Sequence, residues 1–502
     1  MDYLPSIIFD CVIWVRFYKN YKILCNSESE NLISQLMDVV VIGCGASGVA
    51  ALRRLHDAGL KVLGLEAGSR IGGRICTVPF GANNVDIGAA WCHGEKDNKV
   101  FELADPLGLI GRPETPLKNI YVLSNGDILD TAKGVTLAQA IADEVYKADK
   151  DNTTSISECV RTAATTNDIL KQNRNLAGPF IEWFERNNHL GGQTDPRKGK
   201  SLKGLKENWP CEGEVWLDWK GRGYKTIIDV LLNKYPDPSK EIPVQILLNK
   251  EVESIRWGSS QTGLDPSNPL VQVKCKDGSL YAAKSVIVTV SIGVLKERHQ
   301  TLFNPPLPAE KINCINNLQL CLLNKIYIEF EKPWYPKRAY HTILWRDEDK
   351  AKFSSDEKWI TEIFGLWTVE HQPNVMLAWL YGNGAEMMEK VSLGGVEEGV
   401  KKLLSVVFKQ FDVTNVKSIV RSQWASNPLA RGAYSYRSVV TEENGGSAEI
   451  LSEPLYRGNQ FPVVCFAGEA TSHRRHNAVH GALDAGFREA DRLLQSFKEY
   501  RH

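Results

Sequence analysis

The sequence lacks paired cysteines. Its 11 cysteines are spread from Cys11 to Cys465, and no two of them form a C-x-x-C pair. This spacing argues against a zinc site and against a disulfide framework, and no other metal site is predicted. A reducing compartment is therefore expected, and the predicted location is cytoplasmic.

The chain also lacks an excess of either charge. Its 60 basic and 60 acidic side chains give a formal net charge of zero. Nothing in this balance draws the protein to nucleic acid or to an anionic membrane, so neither is a predicted partner. A cationic substrate would have to be attracted by local charge.

Long hydrophobic runs are missing as well. The apolar stretch from Leu4 to Val15 is interrupted by Asp10 and has no Lys or Arg before it. It is also shorter than the about 20 residues that a membrane-spanning helix needs. Neither a signal peptide nor a membrane span is expected, and the segment from Tyr500 to His502 is not a peroxisomal address.

The length and patterning of the chain predict an α/β (α+β) fold. With 502 residues, 43% of them apolar, the chain can bury two large cores. A G-x-G-x-x-G turn at residues 43–48 follows a buried strand, so we expect a Rossmann-type dinucleotide-binding domain interleaved with a substrate-binding domain of mixed sheet and helices. Residues 1–36 are interpreted as an N-terminal extension of unknown role. The predicted ranges are 37–115, 241–320 and 455–502 for the first domain, and 116–240 and 321–454 for the second.

Hydrophobic periodicity predicts the main elements. A buried strand at residues 39–42, a helix to about His56 and a second strand at 62–66 make a βαβ unit. Helical spacing between about residues 133 and 190 predicts a helical subdomain that covers the site. Further strands are predicted at 246–257, 271–275, 285–290, 322–330 and 376–381.

The turn between the first strand and the first helix carries a G-x-G-x-x-G motif. Its glycines permit a tight turn and bring backbone amides and the helix N-terminus to a pyrophosphate. Glu66, about twenty residues later, is placed to bind the adenosine ribose hydroxyls. A chance glycine-rich turn is the alternative, but strand, helix and acid stand in the register that dinucleotide binding needs. The predicted contacts of the turn are Gly43, Gly45, Ala46, Ser47 and Gly48.

After the second strand comes a Gly-Gly-Arg turn, Gly72 to Arg74. Its glycines bring the backbone close, and Arg74 offers a fixed fork of donors to the phosphates. The segment resembles the flavin amine oxidase superfamily, whose members continue the Rossmann unit in this way. The resemblance implies FAD as the cofactor, whereas the alternative is an exposed arginine after a flexible loop.

The far end of the chain supplies the second half of this resemblance. Residues 466–471 and 480–486 show a strand that ends in Gly-Glu, a loop, and a helix opened by small residues. The N-terminus of that helix would stabilise negative charge on the reduced flavin ring. By resemblance, Glu469 contacts the ribityl or pyrophosphate region. The resemblance also assigns cofactor contacts to Ala67, Gly88, Ala89, Ala90, Trp91, Val252, Ala478 and Val479.

Within the superfamily the chain more closely resembles animal polyamine oxidases. By resemblance Trp91 packs near the flavin and His93 faces the substrate amines, although His93 could instead be a packing residue. Lys325 lies within a strand-like alternation, and the matching lysine of the family holds a water against flavin N5. A solvent-exposed lysine on an edge strand is the alternative. The segments that carry the resemblance are 86–94, 209–219, 324–330 and 422–436.

Two further features bear on substrate binding. By resemblance Tyr434 is an aromatic wall at the flavin that offers its π face to a cation. Glu207 and Glu214 belong to a stretch in which aromatic residues and carboxylates interleave, which suits a polyammonium chain. An ordinary acidic surface loop is the alternative for these two residues.

The resemblance implies oxidation of a polyamine at a secondary amine, with oxygen as the acceptor. Spermine, spermidine or their N1-acetyl forms would give an aminoaldehyde, a shorter amine and hydrogen peroxide. Residues 426–436 contain no cysteine where monoamine oxidases attach their flavin, so the FAD is expected to be non-covalent. Basic residues at 472–476 replace the aromatics of mammalian polyamine oxidases and leave the choice between free and acetylated substrates open.

Two other hypotheses stay open. A histone-lysine demethylase has the same oxidase core, but with a long helical tower and an N-terminal chromatin module for which this sequence shows no pattern. A catalytically silent flavin-binding scaffold would be favoured by an exposed Lys325 and a blocked cavity. The protein is expected to be a monomer or a homodimer.

Overall fold

The computed structural model describes residues 36–151, 153–190, 196–257, 270–457 and 461–499. The predicted extension at residues 1–36 therefore lies outside the described residues except for its last position. Two large sheets organise the rest of the chain. Because helices and sheets of mixed direction pack together, the predicted α/β (α+β) class is confirmed.

The first sheet is built around Met37–Ile42, in which Val39, Val40 and Val41 are fully buried, as in a parallel strand covered on both faces. This strand pairs in parallel with strands on both sides. One strand of the sheet, Leu280–Val288, also pairs in parallel with Phe461–Phe466, which in turn pairs with Leu455–Arg457. The main path across the sheet is Phe303–Asn304, Val252–Arg256, Val271–Cys275, Leu280–Val288, Met37–Ile42, Val62–Leu65 and Gln245–Leu247.

The two ends of the described chain meet on this sheet. The helix Ala46–Asp57 buries Leu52 and Leu55 in the same core as Leu483 and Leu493 of the last helix, Val479–Glu499. The two helices approach closely at Gly486, where a Cβ would lie only 2.2 Å from the carbonyl oxygen of Ser47. The last helix therefore begins beside the glycine-rich turn.

The second sheet is mainly antiparallel, and two helices cover one of its faces while the helical subdomain packs against part of the other. Ile326 and Ile328 point to a core that includes Val400 and Leu403, whereas Tyr327 packs on the opposite face with Trp91. The covering helices are Asn383–Lys390 and Leu393–Val407. The path across the sheet is Val416–Arg421, Leu323–Phe330, Gln372–Tyr381, Ile363–Val369, Ala339–Leu344, Lys118–Leu123 and Ile128–Leu129.

The helical subdomain predicted between residues 133 and 190 is present. Its helices share a core with the second sheet, for example through Phe180 and Tyr340. The four helices are Thr131–Lys147, Ile156–Thr166, Asp168–Gln172 and Arg174–Asn187.

One strand prediction was wrong in its extent. Residues 246–257 form two strands, Gln245–Leu247 and Val252–Arg256, with different partners in the first sheet. The chain turns between them at Asn249, whose φ of 56° lies in the left-handed region and breaks the extended conformation.

The remaining elements are short. Tyr224 to Leu232 pack in the core of the first sheet although the predicted division gave them to the second domain, and the domain boundaries stay a prediction. Two small strand pairs are Thr77–Phe80 with Asn83–Asp86, and Gln319–Cys321 with Tyr434–Tyr436. The other α-helices are Lys99–Ala104, Leu202–Glu207, Thr226–Leu231, Ile292–Leu302, Ala309–Asn317, Asp347–Lys350, Val439–Glu443 and Ala448–Ser452, and 3-10 turns lie at Asp105–Leu107, Pro196–Lys198, Pro238–Lys240, Ser355–Glu362 and Glu469–Thr471.

Candidate active site

A cavity of about 810 Å³ runs from the glycine-rich turn to a group of aromatic side chains near the second sheet. At one end it is lined by backbone of the first sheet. We call the other end the aromatic end, defined by Trp91, Trp216, Phe364, Trp367, Trp379 and Tyr434.

The glycine-rich turn has the geometry of a dinucleotide site. Gly43 has a φ of 90°, and a Cβ at Gly48 would lie 1.9 Å from the carbonyl oxygen of Gly43, so only glycine lets the helix start this close to the strand. Gly48 itself does not line the cavity, whereas the other predicted contacts of the turn do: Gly43, Gly45, Ala46 and Ser47.

Two polar groups at this turn face the cavity. The Glu66 carboxylate accepts hydrogen bonds of 2.8 Å from the backbone N–H of Cys44 and of Gly68, which fix its orientation. The Ser47 hydroxyl is buried at the first turn of the helix and has no partner among the described residues. A buried orphan hydroxyl at a helix N-terminus fits a phosphate, so the residues present fit a dinucleotide.

The other predicted cofactor residues also line the cavity. They come from the segment after the second strand, from the loop before Trp91, from the first sheet and from the start of the last helix. They are Ala67, Arg74, Gly88, Ala89, Ala90, Trp91, Val252, Glu469, Ala478 and Val479.

Arg74 and Glu469 bond mainly to each other and to protein groups. Arg74 donates to the carbonyl oxygen of Ala433 at 2.9 Å and to Glu469 at 3.0 Å. Glu469 also accepts from the backbone and hydroxyl of Ser435 and from the backbone of Asn477. Burial raises the pKa of Glu469, but the charge of Arg74 and these hydrogen bonds outweigh it, so the pKa lies below its ordinary value. This carboxylate therefore stays ionised and clamps the two halves of the site together.

Lys325 lies at the aromatic end and is 5% exposed. Its strand has neighbours on both sides, so the alternative of an exposed edge-strand lysine is wrong. The ammonium group donates to the carbonyl oxygens of Asp86 at 2.8 Å and Gly88 at 2.6 Å. Desolvation by burial lowers its pKa, and the negative charge of Asp86 opposes this shift only in part.

Two tryptophans face this lysine, and two more extend the aromatic wall from them. Trp91 and Trp379 place their ring centres 5.4 and 5.0 Å from the Lys325 ammonium group. Trp216 contacts Trp91 at 5.4 Å and Trp367 at 5.1 Å between ring centres. These rings give a narrow apolar wall with π faces that can accept a cation.

His93 stands at the edge of this wall. Its Nδ1 is 2.7 Å from the carbonyl oxygen of Val215, a contact in which the ring nitrogen donates. The side chain of His93 is exposed to the cavity, but the protein packed around it desolvates the charged ring and lowers its pKa, which favours the neutral ring with Nε2 as a hydrogen-bond acceptor. His93 lines the cavity, and its contact with the substrate amines stays a prediction.

Tyr434 forms the opposite part of the aromatic end. Its hydroxyl is hydrogen-bonded to Nδ1 of His189, whose ring stacks 5.4 Å from that of Tyr381. Lys200 lies beside the Tyr434 ring at 5.9 Å. Sequence reasoning missed His189, Lys200 and Trp379.

The structure places Glu207 and Glu214 outside the cavity wall, and their contacts with substrate stay a prediction. Glu207 is ion-paired with Arg437, and Glu214 accepts a hydrogen bond of 2.9 Å from the backbone of Trp216. Neither carboxylate lines the cavity, because each is turned to a partner of its own.

The fold and the cavity together fit a dinucleotide-binding protein with an aromatic pocket beside the dinucleotide site. Comparisons with known proteins give the family. The model of the flavin containing amine oxidoreductases matches residues 46–494. The chain belongs to this family. The predicted amine oxidase activity and FAD cofactor are confirmed, because the family consists of flavin-containing amine oxidoreductases and the cavity of this chain includes the glycine-rich turn at Gly43.

Several relatives match over nearly their whole length. Two proteins named peroxisomal N(1)-acetyl-spermine/spermidine oxidase, from Bos taurus and Homo sapiens, are each 30% identical, covering 91% of this chain and 94% of their own. A protein from Arabidopsis thaliana named probable polyamine oxidase 5 is 26% identical over 92% of this chain and 98% of its own. A double mutant of putrescine oxidase has a similar fold, with a TM-score of 0.63 and 16% identity over 92% of this chain and 99% of its own.

Three further features of the described residues concern their thiols, their helices and their possible metal ligands. The described cysteines are all free thiols, and none of the described residues that line the cavity is a cysteine. Among the described helices none is long and apolar enough to cross a membrane. No cluster of three or more His, Cys, Asp or Glu in the described ranges could hold a metal ion.

Proposed function

We propose that the protein oxidises polyamines at a secondary amine and releases an aminoaldehyde, a shorter amine and hydrogen peroxide. The observation that carries this proposal is the position of Lys325, buried between Trp91 and Trp379 at the end of the dinucleotide cavity. The names of the relatives from Bos taurus and Arabidopsis thaliana support the same class of substrate. Non-covalent FAD is part of the proposal, supported by the absence of cysteine from the described cavity wall.

The side chains have separable tasks in this proposal. FAD, when bound, supplies the acceptor for the hydride of the amine and passes the electrons to oxygen. Trp91 and Tyr434 hold an unbranched amine in place and exclude bulk water. The carbonyl oxygens of Asp86 and Gly88 fix the Lys325 ammonium group, whose lowered pKa lets it hold or release a proton to a nearby water.

His93 would orient the substrate from the tryptophan side. With its Nδ1 bonded to a carbonyl, its Nε2 can accept a hydrogen bond from a substrate ammonium group. An exposed Lys325 and a blocked cavity would favour a catalytically silent scaffold. Lys325 is buried and the cavity extends to the aromatic end, so this alternative is disfavoured.

A substrate panel tests the proposal. Flavin-loaded protein is mixed with spermine, spermidine and N1-acetylspermine, with benzylamine as a monoamine control, and peroxide is measured while the amine products are identified by mass. We expect peroxide from at least one polyamine, with cleavage at a secondary amine. Peroxide from benzylamine alone, or from none of the four, contradicts the proposal.

A further inference from the structure

The carboxylate of Asp86 is buried behind the aromatic end of the cavity. Asp86 ends the short strand Asn83–Asp86 and is 8% exposed. The hydroxyl of Thr77, its partner across the strand pair, donates to the carboxylate, and the backbone N–H of Tyr224 donates to both of its oxygens at 3.0 Å. Both donors are neutral, so they hold the carboxylate in one place without cancelling its charge.

The backbone of the same residue holds Lys325. The carbonyl oxygen of Asp86 accepts from the Lys325 ammonium group at 2.8 Å and from the hydroxyl of Tyr327 at 2.8 Å. A carboxylate lies no more than about 5 Å from the carbonyl oxygen of its own residue, so the two charges are within about 8 Å of each other. Gly88 accepts a second N–H of the ammonium group, which leaves one of its three N–H groups for a water or a ligand.

Other ionisable groups surround this pair: Cys76, His93, Tyr224, Lys225, Tyr327 and Glu370. Desolvation raises the pKa of the cysteine and of both tyrosines and lowers the pKa of the histidine, so all four are neutral near pH 7. The second lysine is exposed, and water and salt screen its charge. The glutamate lies near Tyr327 and Trp91 and does not shift the pKa of Lys325. Among the described groups, Asp86 is therefore the charge that stabilises the ammonium form of Lys325.

We propose that Asp86 is a positioning residue for amine oxidation, whose buried carboxylate keeps Lys325 protonated and so sets the pH range in which the site works. This inference rests on the proposed function and names how that site depends on pH. Burial raises the pKa of the Asp86 carboxyl and lowers the pKa of Lys325, and each charge opposes the shift of the other. Without the carboxylate, Lys325 would lose its proton at a lower pH.

The pH profile of kcat/KM tests this inference in the flavin-loaded full chain. The substrate ionises in the same way for every variant, so differences between profiles report the protein. The limb that reports Lys325 is the one that is missing in Lys325→Met. In Asp86→Asn, which removes the charge and keeps an acceptor oxygen, we expect this limb to move to lower pH by on the order of one unit, whichever form of Lys325 is active.

Two variants control for structural damage at this position. Tyr327→Phe removes the neutral hydroxyl that donates to the backbone carbonyl of Asp86, and Asp86→Glu keeps the charge. The Lys325 limb should stay at its native pH in both. A merely structural role for Asp86 would instead move the profile of Tyr327→Phe together with that of Asp86→Asn.

Unfolding in urea provides a readout without turnover. It is measured for the apoprotein, for Asp86→Asn, for Lys325→Met and for the variant with both changes. The two changes should be non-additive at a pH between the raised pKa of Asp86 and the lowered pKa of Lys325, where both groups are charged. They should become additive at alkaline pH, where Lys325 is neutral. Asp86→Ser repeats both measurements if Asp86→Asn does not fold.

The outcomes separate the two proposals. If polyamines are oxidised but no limb depends on Lys325, or if that limb stays in place in Asp86→Asn or moves as far in Tyr327→Phe, the inference about Asp86 is overturned and the proposed function stands. If no polyamine yields peroxide, the proposed function falls and the unfolding measurements decide the inference. Non-additivity that changes with pH then supports it, and non-additivity that is the same at both pH values overturns it.

Discussion

Arg74 and Glu469 lie 395 positions apart in the chain and form an ion pair of 3.0 Å beside the dinucleotide cavity. The pair joins the segment after the glycine-rich unit to the turn before the last helix. Glu469 adds bonds to Ser435 and Asn477, so one buried carboxylate fixes three separate stretches of the cavity wall.

Replacement of this carboxylate should weaken flavin binding. In Glu469→Gln the ion pair with Arg74 is lost. The NH2 group of the new amide also cannot accept the hydrogen bonds that a carboxylate oxygen of Glu469 accepts. We expect the free energy of unfolding to fall by about 1–3 kcal/mol and the bound flavin to dissociate more readily. Thermal unfolding and the flavin absorbance retained after gel filtration check this, with the exposed carboxylate variant Glu453→Gln as control. Equal flavin retention in both variants would contradict the clamp.

The close approach of the first helix to the glycine-rich turn can be tested by adding one methyl group at Gly48. In Gly48→Ala the new Cβ would lie 1.9 Å from the carbonyl oxygen of Gly43, so the turn must open. We expect little or no bound flavin in this variant, measured by absorbance per mole of protein. Gly394→Ala is the control, since a Cβ there meets nothing within 4 Å. Normal flavin content in Gly48→Ala would show that the turn does not carry the dinucleotide.

Much of the dinucleotide site could be predicted because its geometry is local. Gly43, Ser47 and Glu66 lie within one βαβ unit, where glycine positions and strand ends fix which groups face a ligand. Alternation along a strand predicted that Lys325 points to one face of a sheet, but its place beside the cofactor site was implied only by the resemblance to the polyamine oxidases.

The substrate side could not be predicted in the same way. Trp379 meets Lys325 through pairing of distant strands, and His189 and Lys200 come from the end of the helical subdomain, so no local pattern marks them. The position of Glu207 and Glu214 outside the cavity wall could not be predicted for a similar reason. Glu207 stands among aromatic residues in the sequence, but Arg437, far along the chain, takes its carboxylate.

Loss of the buried ammonium group should slow turnover and spare the fold of the cofactor site. In Lys325→Met we expect kcat for polyamine oxidation to fall by at least about 100-fold, since proton transfer by a positioned group contributes that much, while flavin remains bound. Lys417→Met, which removes an exposed lysine from the neighbouring strand, is the control and should keep native activity. A kcat that is unchanged in Lys325→Met would remove Lys325 from the mechanism.

The lowered pKa of Lys325 also predicts how stability depends on pH. Burial disfavours its charged form in the folded protein, so the unfolded chain binds more protons between the lowered pKa and the ordinary value of 10.5. Stability of the apoprotein should therefore rise with pH across this window relative to Lys325→Met. Urea unfolding of both proteins at a series of pH values measures the difference. A difference that stays constant with pH would mean that Lys325 has an ordinary pKa.

Anaerobic reduction of the bound flavin by a polyamine is the sharpest test of whether this protein oxidises polyamines. Flavin-loaded protein is mixed without oxygen with spermine, with N1-acetylspermine and, in a separate sample, with benzylamine, and the flavin absorbance is followed. We expect at least one of the two polyamines to bleach the flavin with one equivalent of aldehyde formed per flavin, and benzylamine to leave the spectrum unchanged. A flavin that stays oxidised with both polyamines would contradict it.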